Sequence, residues 1–233
     1  MSAATMIIEL ITGLARNFPI TMFGTTLVGG LALGHMAWLF MGLGALSTVL
    51  LCIFIQFIFG EKLGTGIGAY FPKTADAAVI QACSLVPIAT SSTYFYIPSL
   101  WLALTTYFLF YIFLNAQTVY STPPTKLPQE ALPVQHRKSV GVVSMATTVL
   151  LFVALLSFRL RTGCEYFTSF LGILNIPFGA LLGIVFGGVL AYMTHMSTSA
   201  FRGTLYTDVH GVMAGLQPGS LRDHPLACAL KKA

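Results

Sequence analysis

The sequence predicts an all-α fold, a polytopic transmembrane helix bundle of about six spans, with five spans as the alternative. Three observations predict it. Of 233 residues, 56% are hydrophobic and only 8% are charged, against roughly 25% in an ordinary soluble domain. Mean hydropathy is +0.82. From Phe18 to Gly60 no Asp, Glu, Lys or Arg interrupts the chain. A soluble fold covers its surface with charge, and this chain has too little to do so. Lipid takes that place, and in lipid helices satisfy their own backbone.

The elements follow in order. Residues 1–18 read as an interfacial amphipathic segment. Met6, Ile7, Leu10 and Leu14 cluster at helical spacing over 2–15, with Glu9 off that face. The stretch is too short to span and suits the membrane surface. Asn17-Phe18-Pro19 is expected to break it. The first fifteen residues lack a basic n-region, so the first apolar run is expected to act as an uncleaved signal anchor. The transmembrane domain then covers 19–194. The uncharged run has room for two spans of about 20 residues, placed near 19–35 and 37–59. The break falls at Gly34-His35-Met36, where Gly29, Gly30 and Gly34 allow close helix approach. His35 reads as capping a tight turn or bonding a neighbouring helix.

Residues 61–76 form a glycine-rich connector. Its alternating glycines lack the strand–helix context and the lysine–serine pair of a phosphate-binding loop. Residues 77–92 are uncharged but short and contain Pro87, which fits a re-entrant segment as well as a span. Tyr94, Tyr96, Trp101 and Tyr107 mark an aromatic interface. A span is expected over 97–115, then a Pro- and Thr-rich loop over 116–139 ending in His136-Arg137-Lys138. The next span, 140–158, stops at Arg159 and Arg161. The last covers about 167–193, with Pro177 kinking or breaking it. Residues 195–233 form a polar tail.

Gly179, Gly183 and Gly187 recur every four residues in the last span. That spacing lays a flat strip along one helix face, where another helix can pack closely.

Charge placement bears on topology. With six spans, Arg16, Lys62, Lys73, Lys126, Arg137, Lys138, Arg202, Arg222, Lys231 and Lys232 share one side, and Arg159 and Arg161 lie opposite. That asymmetry is what the positive-inside rule favours. With five spans the division is five to seven, which decides nothing. The net charge of +5 is topogenic in this reading. No Lys/Arg-rich run and no zinc-finger spacing points to nucleic acid. Cys52, Cys83, Cys164 and Cys228 are widely spaced, so no metal site is expected. Cys83 and Cys164 both fall near span ends, which leaves a disulfide between them open.

Two resemblances bear on function. Lys62 leading to Phe71-Pro72, then Pro98-Ser99-Leu100-Trp101, then Ser157-Phe158-Arg159 resembles the layout of phosphatidic acid phosphatase type 2 proteins. That family uses one histidine as nucleophile and a second as acid. Here no Arg precedes Pro72, Trp101 stands where the acid belongs, and the next histidine after Arg159 is His195. The resemblance therefore implies a scaffold without phosphatase activity. The second resemblance is to multi-pass membrane proteins of large DNA viruses. It runs over about 95–190, through Ile97-Pro98-Ser99, Tyr120, Pro123-Pro124, His136-Arg137-Lys138 and the Arg159/Thr162-Gly163-Cys164-Glu165 junction. It implies a minor structural component of the virion, in the membrane beneath the capsid.

The expected function is therefore structural: an integral membrane protein that anchors capsid or core proteins, with no enzyme activity and no cofactor. Its partners are membrane lipids and other proteins, with no nucleic acid. Arg159 and Arg161 are the candidate contacts to anionic lipid. A transporter or channel is the alternative, with His35, Asn115 and Asn175 as its few polar groups inside spans. No inverted repeat supports it. An enzyme would draw on His195, Asp208, His210, Asp223 and His224 in the tail, which lack a third convergent ligand.

Overall fold

The computed structural model describes residues 3–33, 36–66, 98–121, 131–162 and 170–200. They form five helices: α1 (Ala3–Leu33), α2 (Met36–Gly66), α3 (Leu100–Ser121), α4 (Ala131–Arg161) and α5 (Phe170–Ala200). No strand occurs among the described residues. Four helices carry stretches long and apolar enough to cross a membrane: Trp38–Ile55, Leu100–Thr118, Lys138–Arg161 and Ile176–Met193.

Helix α3 is the hub. All four other helices pack on it, α5 most extensively and α4 next. Every residue from Trp101 to Leu109 is buried. Of its membrane-length stretch 67% is enclosed, against 17% for those of α4 and α5. Its stretch has a mean hydropathy of 1.3 against 2.0–2.3 for the other three, so the more apolar helices are the ones left to turn a face to lipid. Val143 and Leu150 on α4, Leu50 on α2 and Val189 on α5 are among the large side chains left exposed. That much exposed apolar surface exceeds what a water-soluble monomer carries.

The contacts fix helix directions. Gly29 faces Trp38 and Gly42 faces Leu27, so α1 and α2 are antiparallel. Gly141 lies against Ala116 and Tyr120 at one end, and Arg159 over Trp101 at the other, so α3 and α4 are antiparallel. Gly179 meets Ser99 and Leu102, while Gly187 meets Tyr107 and Tyr111, so α5 runs parallel to α3. Helix α1 is also parallel to α3: Arg16 meets Trp101, and Met22 and Phe23 pack on the Tyr107 cluster.

Several threonine hydroxyls inside the bundle are bonded locally. Thr48 donates to the Gly44 carbonyl at 2.9 Å, Thr106 to Leu102 at 2.6 Å and Thr148 to Ser144 at 2.7 Å. Each closes a hydroxyl onto its own helix, which suits a medium without water. Tyr107 instead bonds across helices: its hydroxyl donates to the Met41 carbonyl at 2.8 Å.

Several sequence expectations are corrected. The chain does not break at Asn17-Phe18-Pro19, because α1 runs through with Pro19 inside it. Proline deprives the Ala15 carbonyl of its usual donor. The Trp101 indole N–H replaces that donor, reaching Ala15 O at 3.2 Å and Arg16 O at 3.1 Å. Pro177 stays inside α5, so of the two expectations for it, a kink or a break, the break is overturned. Three segments read as loop or tail are partly helical: 61–66 continues α2, 116–121 and 131–139 extend α3 and α4, and 195–200 extends α5. Polarity misled the reading there, since a membrane helix continues into the polar layer until a breaker stops it. Helix α3 ends two residues before Pro123, and α4 tolerates Pro133 because it lies in the first turn. Tyr107, read as an interface marker, is wholly buried in the hub.

Candidate functional site

At the two ends of the α3–α4 pair an aromatic residue of α3 meets a cation of α4. The Arg159 guanidinium lies 4.9 Å from the Trp101 ring centre, and the Lys138 ammonium 6.0 Å from that of Tyr120. Trp101 and Tyr120 are about 29 Å apart along the helix at 1.5 Å per residue. Lys138 and Arg159 are about 32 Å apart on the same rise. Both spacings match a hydrocarbon core of about 30 Å. The aromatic and basic side chains thus form two belts, as at membrane boundaries.

The Trp101 belt holds a notch of about 30 Å³, lined by Thr12, Ala15 and Arg16 of α1, Trp101 of α3, and Leu155, Phe158, Arg159 and Thr162 on and just after α4. Arg16 and Arg159 are among its lining residues, and no carboxylate is among them within the described residues. Arg159 is only 8% exposed, while Arg161 lies in the open. The Nε of Arg16 is buried without a hydrogen-bond partner. Trp101 organises the notch. Its indole N–H is committed to the α1 backbone, and its ring carries Arg159. Ser99 sets the start of α3: its hydroxyl accepts the Leu102 N–H at 3.4 Å and its carbonyl accepts the Ala103 N–H at 3.0 Å. The first is an N-cap bond.

The pair expected to meet anionic lipid, Arg159 and Arg161, is therefore divided between the notch and the surface. Arg16 joins Arg159 instead, although the six-span count puts those two on opposite faces. Its membership was missed because 85 residues separate Arg16 from Trp101, and nothing local links them.

The glycine strip meets α3. A Cβ on Gly179 would sit 3.1 Å from Leu102 Cβ. One on Gly183 would collide with Thr106 and Ala103 and lie 2.7 Å from the Tyr107 nitrogen. One on Gly187 would lie 2.8 Å from the Tyr107 carbonyl. The two backbones touch along the strip.

Asn115 is buried in α3. Among the described residues, no three His, Cys, Asp or Glu side chains converge as a metal site would require. Cys52 is a buried free thiol. Cys83 and Cys164, His35, and Asp208, His210, Asp223 and His224 of the tail lie outside the described residues, as do the side chains of Asn175 and His195. No protein-family model, no curated protein and no solved structure matches the chain.

Proposed function

We propose that the chain is a structural integral membrane protein, a minor component of a large virus particle that anchors capsid or core proteins to the internal bilayer. The observation that carries the structural part is the hub. Trp101, Tyr107, Phe108 and Tyr111 fill the space around α3, and the Tyr107 hydroxyl is bonded to the α2 backbone. Such an interior supports rigid packing. A permeation path would call for ionisable side chains facing a cavity. The viral setting is supported by the sequence resemblance over residues 95–190.

The bundle crosses the membrane five times in this reading, with α1 counted as a span beside the four helices that are long and apolar enough by themselves. Alternating helix directions support that count, and so does the shared position of Arg16 and Arg159 in one notch. The N-terminus and the polar tail then face opposite compartments. The Pro98-Ser99 pair that resembles a phosphatase motif has a structural task here, capping α3, and the proposal assigns it no catalytic step.

Cross-linking and identification of neighbours in the native membrane tests the function. Capsid or core proteins among the cross-linked partners are the expected result. Solute flux through proteoliposomes of the purified chain, with no such neighbours, would replace the structural reading with transport.

A further inference from the structure

We infer that the outward face of α1 pairs two copies of this chain side by side in the membrane. The inference rests on the reading of α1 as a membrane span and not on the viral setting. Leu10, Leu14, Asn17, Thr21, Gly24, Val28 and Leu31 follow one another at alternating spacings of four and three residues. That is the heptad spacing of a coiled-coil seam, kept here over three heptads. The α1 residues that meet other helices, Ala15, Arg16, Phe18, Met22 and Phe23 among them, lie on the opposite side. Along the seam Leu10, Leu14, Val28 and Leu31 are 64–73% exposed, and Asn17 and Thr21 are exposed with them.

Asn17 makes lipid a poor cover for this face. Its amide stands just inside the Trp101 belt, within the seam, with Leu10 and Leu14 before it and Val28 and Leu31 after it. An amide turned to hydrocarbon costs free energy unless it finds a partner. In membrane helices asparagine finds one across a helix interface. A second copy supplies it. Two copies share one orientation in the membrane, so a twofold axis along the membrane normal sets each seam against itself, parallel and in register. Asn17 of one copy then meets Asn17 of the other. The amide is both donor and acceptor, so the pair is complementary to itself, and a single asparagine in an apolar seam fixes register and oligomeric state. One heptad on, a Cβ built on Gly24 meets nothing within 4 Å. The bare backbone there lets a second helix come close. The outward faces of α4 and α5, with Leu150 and Val189, carry no exposed Asn or Gln among the described side chains, and they suit lipid.

The test uses the full chain in phosphatidylcholine vesicles. Single cysteines replace Leu14, Val28 or, on the outward face of α5, Val185, with the native cysteines removed, and an oxidant links those that meet. Leu14→Cys and Val28→Cys should each give a disulfide-linked dimer, and Val185→Cys should not. No dimer at Leu14 and Val28, or equal linking at Val185, overturns the inference. Energy transfer between labelled copies, followed as lipid dilutes them, measures the association. Asn17→Val removes both reciprocal amide bonds and should weaken it about tenfold. Gly24→Leu should weaken it at least as much, and its side chain has open space within its own chain, so a folded monomer is the expected product. Association unchanged by both substitutions overturns the seam. A chain that stays monomeric in vesicles while Leu14→Cys links to a different protein in the native membrane overturns the second copy as occupant. Release of the chain from vesicles by alkaline carbonate would instead sink the membrane reading itself, a result distinct from a carbonate-resistant monomer.

Discussion

Tyr107 joins the hub to α2 through one side chain. Its hydroxyl bonds the Met41 carbonyl, its ring packs edge-on against Phe108 at 5.1 Å, and a Cβ on Gly44 would fall on its hydroxyl. Tyr107→Phe keeps the ring and removes the bond. The expected cost is about 0.6 kcal/mol and at most about 1.7 kcal/mol, the range for interhelical bonds in lipid. Gly44→Ala should cost more, because it displaces the hydroxyl and leaves the Met41 carbonyl without its second donor. Denaturant unfolding in mixed micelles measures both. A Tyr107→Phe protein as stable as wild type would show that the bond contributes nothing. Neither the bond nor its partner was legible in the sequence. Tyr107 stands near Trp101 in a run of aromatic residues, and hydropathy does not separate a headgroup tyrosine from one whose hydroxyl finds a carbonyl 66 residues away. The arginine notch was illegible for the same reason: its members are each unremarkable locally and meet only through tertiary packing.

At the level of elements the apolar helices and one packing face were legible, and most helix ends were not. The 179/183/187 spacing is a local, periodic signal, so the strip could be read, although not its partner. Helix ends went astray where polar residues continue a helix, and at Pro19, where a breaker is compensated from another element. Gly183→Leu should separate α5 from α3, since the new side chain meets backbone that cannot move aside. Overpacking commonly costs about 1–3 kcal/mol, and this substitution belongs at or above the upper end. Unchanged thermal stability would remove the strip from the packing account. The compensation at Pro19 gives a sharper prediction. Trp101→Phe leaves the Ala15 carbonyl without a donor in a dry environment, with an expected loss of about 1–3 kcal/mol. Pro19→Ala restores the helical N–H, so Trp101→Phe should cost less in that background. A double-mutant cycle reads the difference as coupling. Zero coupling would mean that Trp101 holds α1 by its ring alone.

At the scale of the whole molecule, the five helices of the described residues form one alternating set. Helices α1, α3 and α5 point one way and α2 and α4 the other, as the glycine contacts require. The C-terminal end of α2 and the N-terminal end of α3 therefore lie toward the same end of the bundle, and so do Arg16 and Arg159. If residues 77–92 crossed once, this arrangement would fail, because α3 would then begin on the opposite face. Charge counting preferred six spans for its ten-to-two asymmetry, a statistical bias in loops; the shared notch is a constraint on where two named side chains sit, and the proposed five crossings rest on it. The two arrangements differ at accessible positions. Five crossings put Ser2 on one face and Thr125 and Ser220 on the other, whereas six put all three together. Single cysteines at these positions, in a chain whose four native cysteines are replaced, can be labelled in sealed vesicles with an impermeant maleimide. The expected result is that Thr125→Cys and Ser220→Cys label alike and Ser2→Cys labels only from the other side. Identical labelling of all three would restore the sixth span and place Arg16 and Arg159 on opposite faces. The notch could not then exist in the membrane.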